Sequence, residues 1–196
     1  MNEFVMYFQM GWQHIVDWEG MDHILFITAL CAIYLLEDWR KVLVLVTAFT
    51  IGHSITLALS VTNIVYVKSN LIEFLIPVTI LITAFSNVIR KQTGSTKIQL
   101  NYFFAGFFGL IHGMGFSAYL KSLLGTQTNI VWPLLAFNVG LEFGQVLIVI
   151  VVLFVAGIIV NVTNVKRRDW NMFLSSAIVG IALMMAAERF RELMVK

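Results

Sequence analysis

Six apolar runs, at about 21–36, 42–61, 71–89, 100–120, 132–160 and 170–187, fill this chain and are separated by short polar turns. A run of ~20 apolar residues matches the ~30 Å hydrocarbon core of a bilayer. Inside that core the backbone must satisfy its own hydrogen bonds, which restricts such runs to helices. The expected fold class is therefore all-α: a polytopic membrane protein of six transmembrane helices, in a single domain over residues 1–196. The lipid bilayer is the first partner this implies. Composition agrees, with 59% hydrophobic and 12% charged residues, where a soluble domain carries about a quarter charged. The net charge is +2 and the basic residues gather between the runs, so no nucleic-acid footprint is expected. Cys31 is the one cysteine and lies inside a run, which excludes an intrachain disulfide.

The N-terminus behaves differently. Residues 3 to 18 mix Phe4, Tyr7, Trp12 and Ile15 with Glu3, Gln9, Gln13, His14 and Asp17, which is too polar a mixture for a span. The expectation is a short interfacial segment or re-entrant lip, broken at Gly20. No Lys or Arg precedes residue 40, which does not suit the basic start of a cleavable signal peptide.

The loops carry the orientation. Arg40, Lys41, Arg90, Lys91, Lys97, Lys166, Arg167 and Arg168 fall in the first, third and fifth loops, and only Lys68 and Lys121 in the second and fourth. The positive-inside rule then places the odd loops in the cytoplasm and the N-terminus outside. The C-terminal tail, with Arg189, Arg191 and Lys196, departs from this pattern. Trp12, Trp18 and Trp132 are expected at the outer interface, and Trp39 and Trp170 at the inner one.

The polar residues inside the runs are the candidate site. Asp22 and His23 open the first span. At ~1.5 Å per residue, His53 and His112 reach similar heights on two ascending spans, and Glu142 lies at a comparable depth on the descending fifth. Asn138, Glu142 and Gln145 follow i, i+4, i+7 and share one helical stripe. A buried ionised carboxylate costs ~3 kcal/mol or more in a membrane, so Glu142 is expected to face the bundle interior, to be paired, or to be protonated. The bland reading is a Glu142–histidine pair that joins helices, with each histidine a satisfied packing residue. Several at one depth favour a shared site. Neutral imidazole suits zinc, nickel, copper or iron, with carboxylate supplying charge. The candidate metal ligands are His14, Asp22, His23, His53, His112 and Glu142, for a divalent transition metal such as zinc or nickel. Asp17 and Glu19 read as a charged rim, and Glu73 as a further acid near the outer end of the third span. Gly106, Gly109, Gly113 and Ser117 form a small-residue seam beside His112. That seam suits internal packing or a homo-oligomer equally.

Several of these motifs recur together in a known family. His14-Ile15, Gly20-x-Asp22-His23-x-Leu25-Phe26, Gly52-His53-Ser54-x-Thr56-Leu57, His112-Gly113-x-Gly115-Phe116 and Phe137-Asn138-x-Gly140-x-Glu142-x-Gly144-Gln145 resemble the HupE/UreJ family of bacterial membrane proteins. The resemblance implies an inner-membrane protein and a nickel or cobalt permease. It matches His14, Asp22 and His23 to the family's first-span motif. His14 is followed by Ile15 rather than the familiar proline, and Asp17-Trp18-Glu19 lengthens the gap to Asp22-His23, which marks a divergent branch. Two other functions fit the same residues. Three histidines with a carboxylate also resemble the zinc site of multi-span ceramidase-like enzymes. In such a hydrolase Asp22 or Glu142 would be the general base and Ser54 would hold water or an oxyanion. The third alternative is a structural or sensory module with a metal staple. The permease meets one difficulty: beyond the histidines, the inner half offers Thr28, Thr47, Thr79, Thr83, Ser86 and Asn87 and no further ionisable ligand.

Overall fold

The computed structural model of the chain describes residues 2–17, 20–90, 98–124 and 130–195. Trp18, Glu19, Lys91, Lys97 and Lys196, to which the sequence assigns interfacial or charge-setting roles, lie outside them. The helices are α1 (Glu3–Val16), α2 (Met21–Cys31), α3 (Trp39–Val61), α4 (Ser69–Ile89), α5 (Ile98–Leu124), α6 (Val131–Val162) and α7 (Arg167–Met194), with a 3-10 turn at Leu36–Asp38 before α3. No strand is present among the described residues. The five helices α3 to α7 are long and apolar enough to cross a membrane. Helix α6, with 32 residues, is ~48 Å long and exceeds the hydrocarbon core, so it must tilt or protrude.

The first expected span is corrected. Helix α2 has 11 residues, ~16 Å, and cannot cross alone. Helix α1 packs on α6, with Tyr7, Gly11 and Ile15 buried in the contact. Glycine makes that contact. A Cβ on Gly11 would fall inside the Phe137 carbonyl, and one on Gly140 inside the Phe8 carbonyl, while Ile15 lies on Gly144. Such close approach is the packing mode available where lipid removes the hydrophobic drive between helices. The polar Gln9 and Gln13, four residues apart, stay on the exposed face. The contacts place α1 parallel to α6, and farther along Leu36 lies against Gly157. Helices α1 and α2 thus follow α6 in succession, with the break at residues 17–20 between them.

The remaining helices pack mainly as α3 with α5 and α4 with α7, with α3 also crossing α6 and α2 touching α4 and α6. The α3–α5 contact is the expected glycine seam, with Gly52 added from α3. Cβ atoms at Gly52, Gly109 and Gly113 would collide with the carbonyls of Gly106, Phe49 and His53. Helix α5 runs unbroken through Gly113-Met114-Gly115, so these glycines serve close packing rather than loosening the helix. The α4–α7 pair is closed at one end by Arg189–Glu73 at 3.2 Å and near the other by Asn171 donating to the Asn87 carbonyl at 3.1 Å. The start of α7 is tied to the α2–α3 corner by Arg167, which donates to the Ile33 carbonyl and to Asp38 at 2.9 Å. Trp170, expected at an interface, is buried at 8% exposure. The start of α1, the end of α3 and the end of α7 share one face of the bundle, called here the N-terminal face.

Candidate metal centre

The break between α1 and α2 brings the first polar residues together. Asp22 stands in the first turn of α2, where backbone N–H groups have no intrahelical partner. Its Oδ1 accepts the His23 backbone N–H at 2.9 Å and the His23 ring Nδ1–H at 3.1 Å. Asp22 therefore caps the helix and fixes the imidazole, leaving His23 Nε2 as a free lone pair. That Nε2 is buried and has no hydrogen-bond partner.

His112 is fixed by a similar logic. The Thr79 hydroxyl donates its one proton to the Ile76 carbonyl at 2.7 Å, so it can only accept from His112 Nε2, which lies 3.1 Å away. The proton of neutral His112 is thereby placed on Nε2, and Nδ1 carries the lone pair. Nδ1 is buried and unpartnered. Holding one ring nitrogen by hydrogen bond while the other faces a shared space is the usual arrangement around a metal-ligating histidine.

His14 and His53 complete the layer. The His14 and His23 ring centroids are 4.6 Å apart, His23 and His112 5.2 Å, and His14 and His53 6.0 Å. His14 Nε2 and both nitrogens of His53, a fully buried residue, lack partners. Ligand atoms of His14, His23 and His53 lie within 4.8 Å of one another, and so do those of Asp22, His23 and His112. His23 belongs to both groups. Each unsatisfied buried polar group costs ~1–3 kcal/mol. Four histidines with orphaned lone pairs facing one another are therefore costly without an occupant, and a divalent transition metal fits the donor set.

The surroundings separate the two groups. A cavity of about 510 Å³ reaches Asp22, His23, His112 and His14 from the N-terminal face, past Glu73 and Arg189 at its mouth. His53 does not line it. Phe26 and Phe49 floor the cluster, with ring centroids 5.0 Å and 5.1 Å from His112. Phe116 and Phe137 wall it on the α1 side, Phe116 at 4.0 Å from His14. A smaller cavity of about 180 Å³ at the opposite face, lined in part by Tyr34, Asn87, Arg90 and Asn101, lies beyond Phe108.

Two other sequence candidates are placed elsewhere. The Ser54 hydroxyl donates to the Thr50 carbonyl of its own helix at 2.7 Å. Glu142 belongs to neither ligand group, and its Oε1 accepts from Thr47 of α3 at 2.6 Å. Asp17 is exposed at the end of α1. Thr79 and Arg189 were the residues sequence reasoning missed. A threonine two residues beyond Pro77 in the third span was the available signal for the first. The unexplained basic tail was the signal for the second.

Comparison with curated proteins gives no match, and neither does comparison with solved structures. A protein-family model described as HupE / UreJ protein matches residues 1–189, nearly the whole length over which the histidine layer is assembled, and the chain belongs to the HupE/UreJ family.

Proposed function

We propose that this protein is a divalent transition-metal permease of the nickel/cobalt type in a bacterial inner membrane, with α1 and α2 together forming the first of six crossings of a single domain. The observation that carries this is the paired ligand set with one shared member. The group at the cavity floor, Asp22–His23–His112, captures an ion from the N-terminal face. His23, a member of both groups, passes it on to His14 and His53. Asp22 supplies the negative charge that offsets dehydration of a divalent ion, and imidazoles supply donors that exchange readily. A ligand layer at the break between two half-helices is also how discontinuous helices serve transporters. The family's link to nickel and cobalt transport agrees with this reading.

In the zinc hydrolase reading Asp22 or Glu142 is the general base and Ser54 holds water or an oxyanion. Among these Asp22 stands at the histidines, while Glu142 is held by Thr47 and the Ser54 hydroxyl donates to the Thr50 carbonyl of its own helix. The metal is therefore cargo in this reading, not a resident cofactor. The test is uptake of nickel or cobalt into sealed proteoliposomes. The native protein is expected to take up the ion, and His23→Ala to abolish uptake because both groups lose a member. Absence of uptake by the native protein, with one zinc retained per chain, overturns the permease reading in favour of the hydrolase or a structural staple.

A further inference from the structure

The permease needs a route beyond the histidines, and the α3–α6 seam supplies one. Two rulers place Glu142 relative to the cluster. His53 stacks on Phe137, and Glu142 follows five residues later on α6, ~7.5 Å along the axis. Thr47, its hydrogen-bond partner, precedes His53 by six residues on α3, ~9 Å. Helices α3 and α6 are antiparallel, so both displacements point away from the N-terminal face. Glu142 thus lies on the opposite-face side of His53, level with the α1 backbone beside His14, where Ile15 lies on Gly144.

It is not alone there. Asn138, Glu142 and Gln145 form one stripe of α6, and Thr47 and Thr50 face it from α3 through Thr47–Glu142 at 2.6 Å and Thr50–Gln145 at 2.8 Å. Asn138 Oδ1 and Glu142 Oε2 are buried with no partner. Asn138 has its amide N–H committed to the Leu134 carbonyl at 2.8 Å, so its free atom is an oxygen. Gln145 is fully buried and its amide nitrogen is unpartnered. The Thr50 hydroxyl, with one proton, already has the Val46 carbonyl 3.1 Å away. With the Gln145 amide rotated by half a turn, its N–H donates to Thr50 Oγ1 and its carbonyl oxygen faces the seam. Both demands on Thr50 are then met.

We infer that this stripe is a second cation site: a file of oxygen donors from Asn138, Glu142 and Gln145, with Glu142 its charged centre, that takes the ion from the histidine layer toward the opposite face. Oxygen donors hold late transition metals less tightly than imidazole, so affinity falls along the route. The inference rests on the permease reading for its direction of travel, while the site itself is a statement about binding.

Cobalt(II) titration of the full-length purified protein, followed by uptake into proteoliposomes, tests it. Two classes of bound ion are expected, a tight one at the histidines and a weaker one at the seam. Glu142→Gln, which keeps the side-chain shape, removes the weaker class, leaves the tight class and its visible absorption unchanged, and lowers uptake roughly tenfold or more, equivalent to ~1.4 kcal/mol. Thr47→Val, a second variant that alters no charge, lowers uptake in the same direction. A native protein with the tight class alone overturns the inference. So does Glu142→Gln that keeps both classes, or that loses the tight class together with the weak one. Selective loss of the weak class in Glu142→Gln, together with a native protein that binds both classes but shows no uptake, would leave the oxygen site standing and remove the permease.

Discussion

At the scale of the residue, the centre depends on hydrogen bonds that decide which nitrogen of each ring is free. Asp22 holds His23 at 3.1 Å and Thr79 holds His112 at 3.1 Å, so each presents one lone pair before any ion arrives. Asp22→Asn keeps the shape but weakens the hold on His23 and removes the charge. Cobalt affinity at the tight site is expected to fall about 10–100-fold or more, because the group loses its charged member and His23 loses its anchor. An unchanged affinity would mean that His23 is oriented by packing alone. Thr79→Val leaves the His112 Nε2–H without an acceptor and is expected to lower affinity in the same direction by a smaller factor. The histidines were legible in the sequence because depth along a span can be counted. Thr79 was not, since a threonine in an apolar run looks like packing until the proton of its hydroxyl is followed. Glu142 was placed with the histidines because counting from uncertain span ends carries an error of about a turn, and a turn of ~5.4 Å separates one site from two.

At the scale of the element, the N-terminal segment shows what hydropathy leaves out. Residues 3–16 are polar on one face, and hydropathy assigns them to the interface. Burial of Tyr7, Gly11 and Ile15 is decided instead by glycines on both partners, Gly11 on α1 and Gly140 and Gly144 on α6. The signal was present in the chain as two glycines four residues apart in α6. Its meaning depends on a partner helix more than a hundred residues away, which periodicity cannot name. The five long helices were legible because each one alone is long and apolar enough to cross. A pair of substitutions tests the packing argument. Gly140→Leu drives a side chain into the Phe8 backbone and is expected to destabilise the protein by about 1–3 kcal/mol or more. Gly180 has nothing within 4 Å of where a Cβ would stand. There, Gly180→Ala is expected to be neutral or to stabilise α7 by up to ~1 kcal/mol. Thermal unfolding in detergent reads both. Equal effects at the two positions would show that the α1–α6 contact is not set by close backbone approach.

At the scale of the whole molecule, the question is which way the cavity faces. The basic loop residues that the structure describes, Arg40, Lys41, Arg90, Lys166, Arg167 and Arg168, lie at the face opposite the N-terminus. The tail residue Arg189 stands at the N-terminal face instead. It pairs with Glu73 at 3.2 Å and Glu192 at 2.9 Å across the cavity mouth. The positive-inside rule counts Lys and Arg in the short loops near the span ends, and these gather at the opposite face, so the bias rests there. The proposed orientation follows: the 510 Å³ cavity and both termini outside, the oxygen file leading inward. Single cysteines at exposed positions test this directly, since Cys31 is buried at 1% exposure and contributes little background. Asn2→Cys and Met194→Cys are expected to react with a membrane-impermeant maleimide in intact cells, and Lys41→Cys only after permeabilisation. Labelling of Asn2→Cys and Met194→Cys from opposite sides would refute an even number of crossings, and with it the counting of α1 and α2 as one. Labelling of both only after permeabilisation, with Lys41→Cys accessible from outside, would keep the six crossings and invert the molecule. The histidine layer would then face the cytoplasm and the direction of transport would reverse.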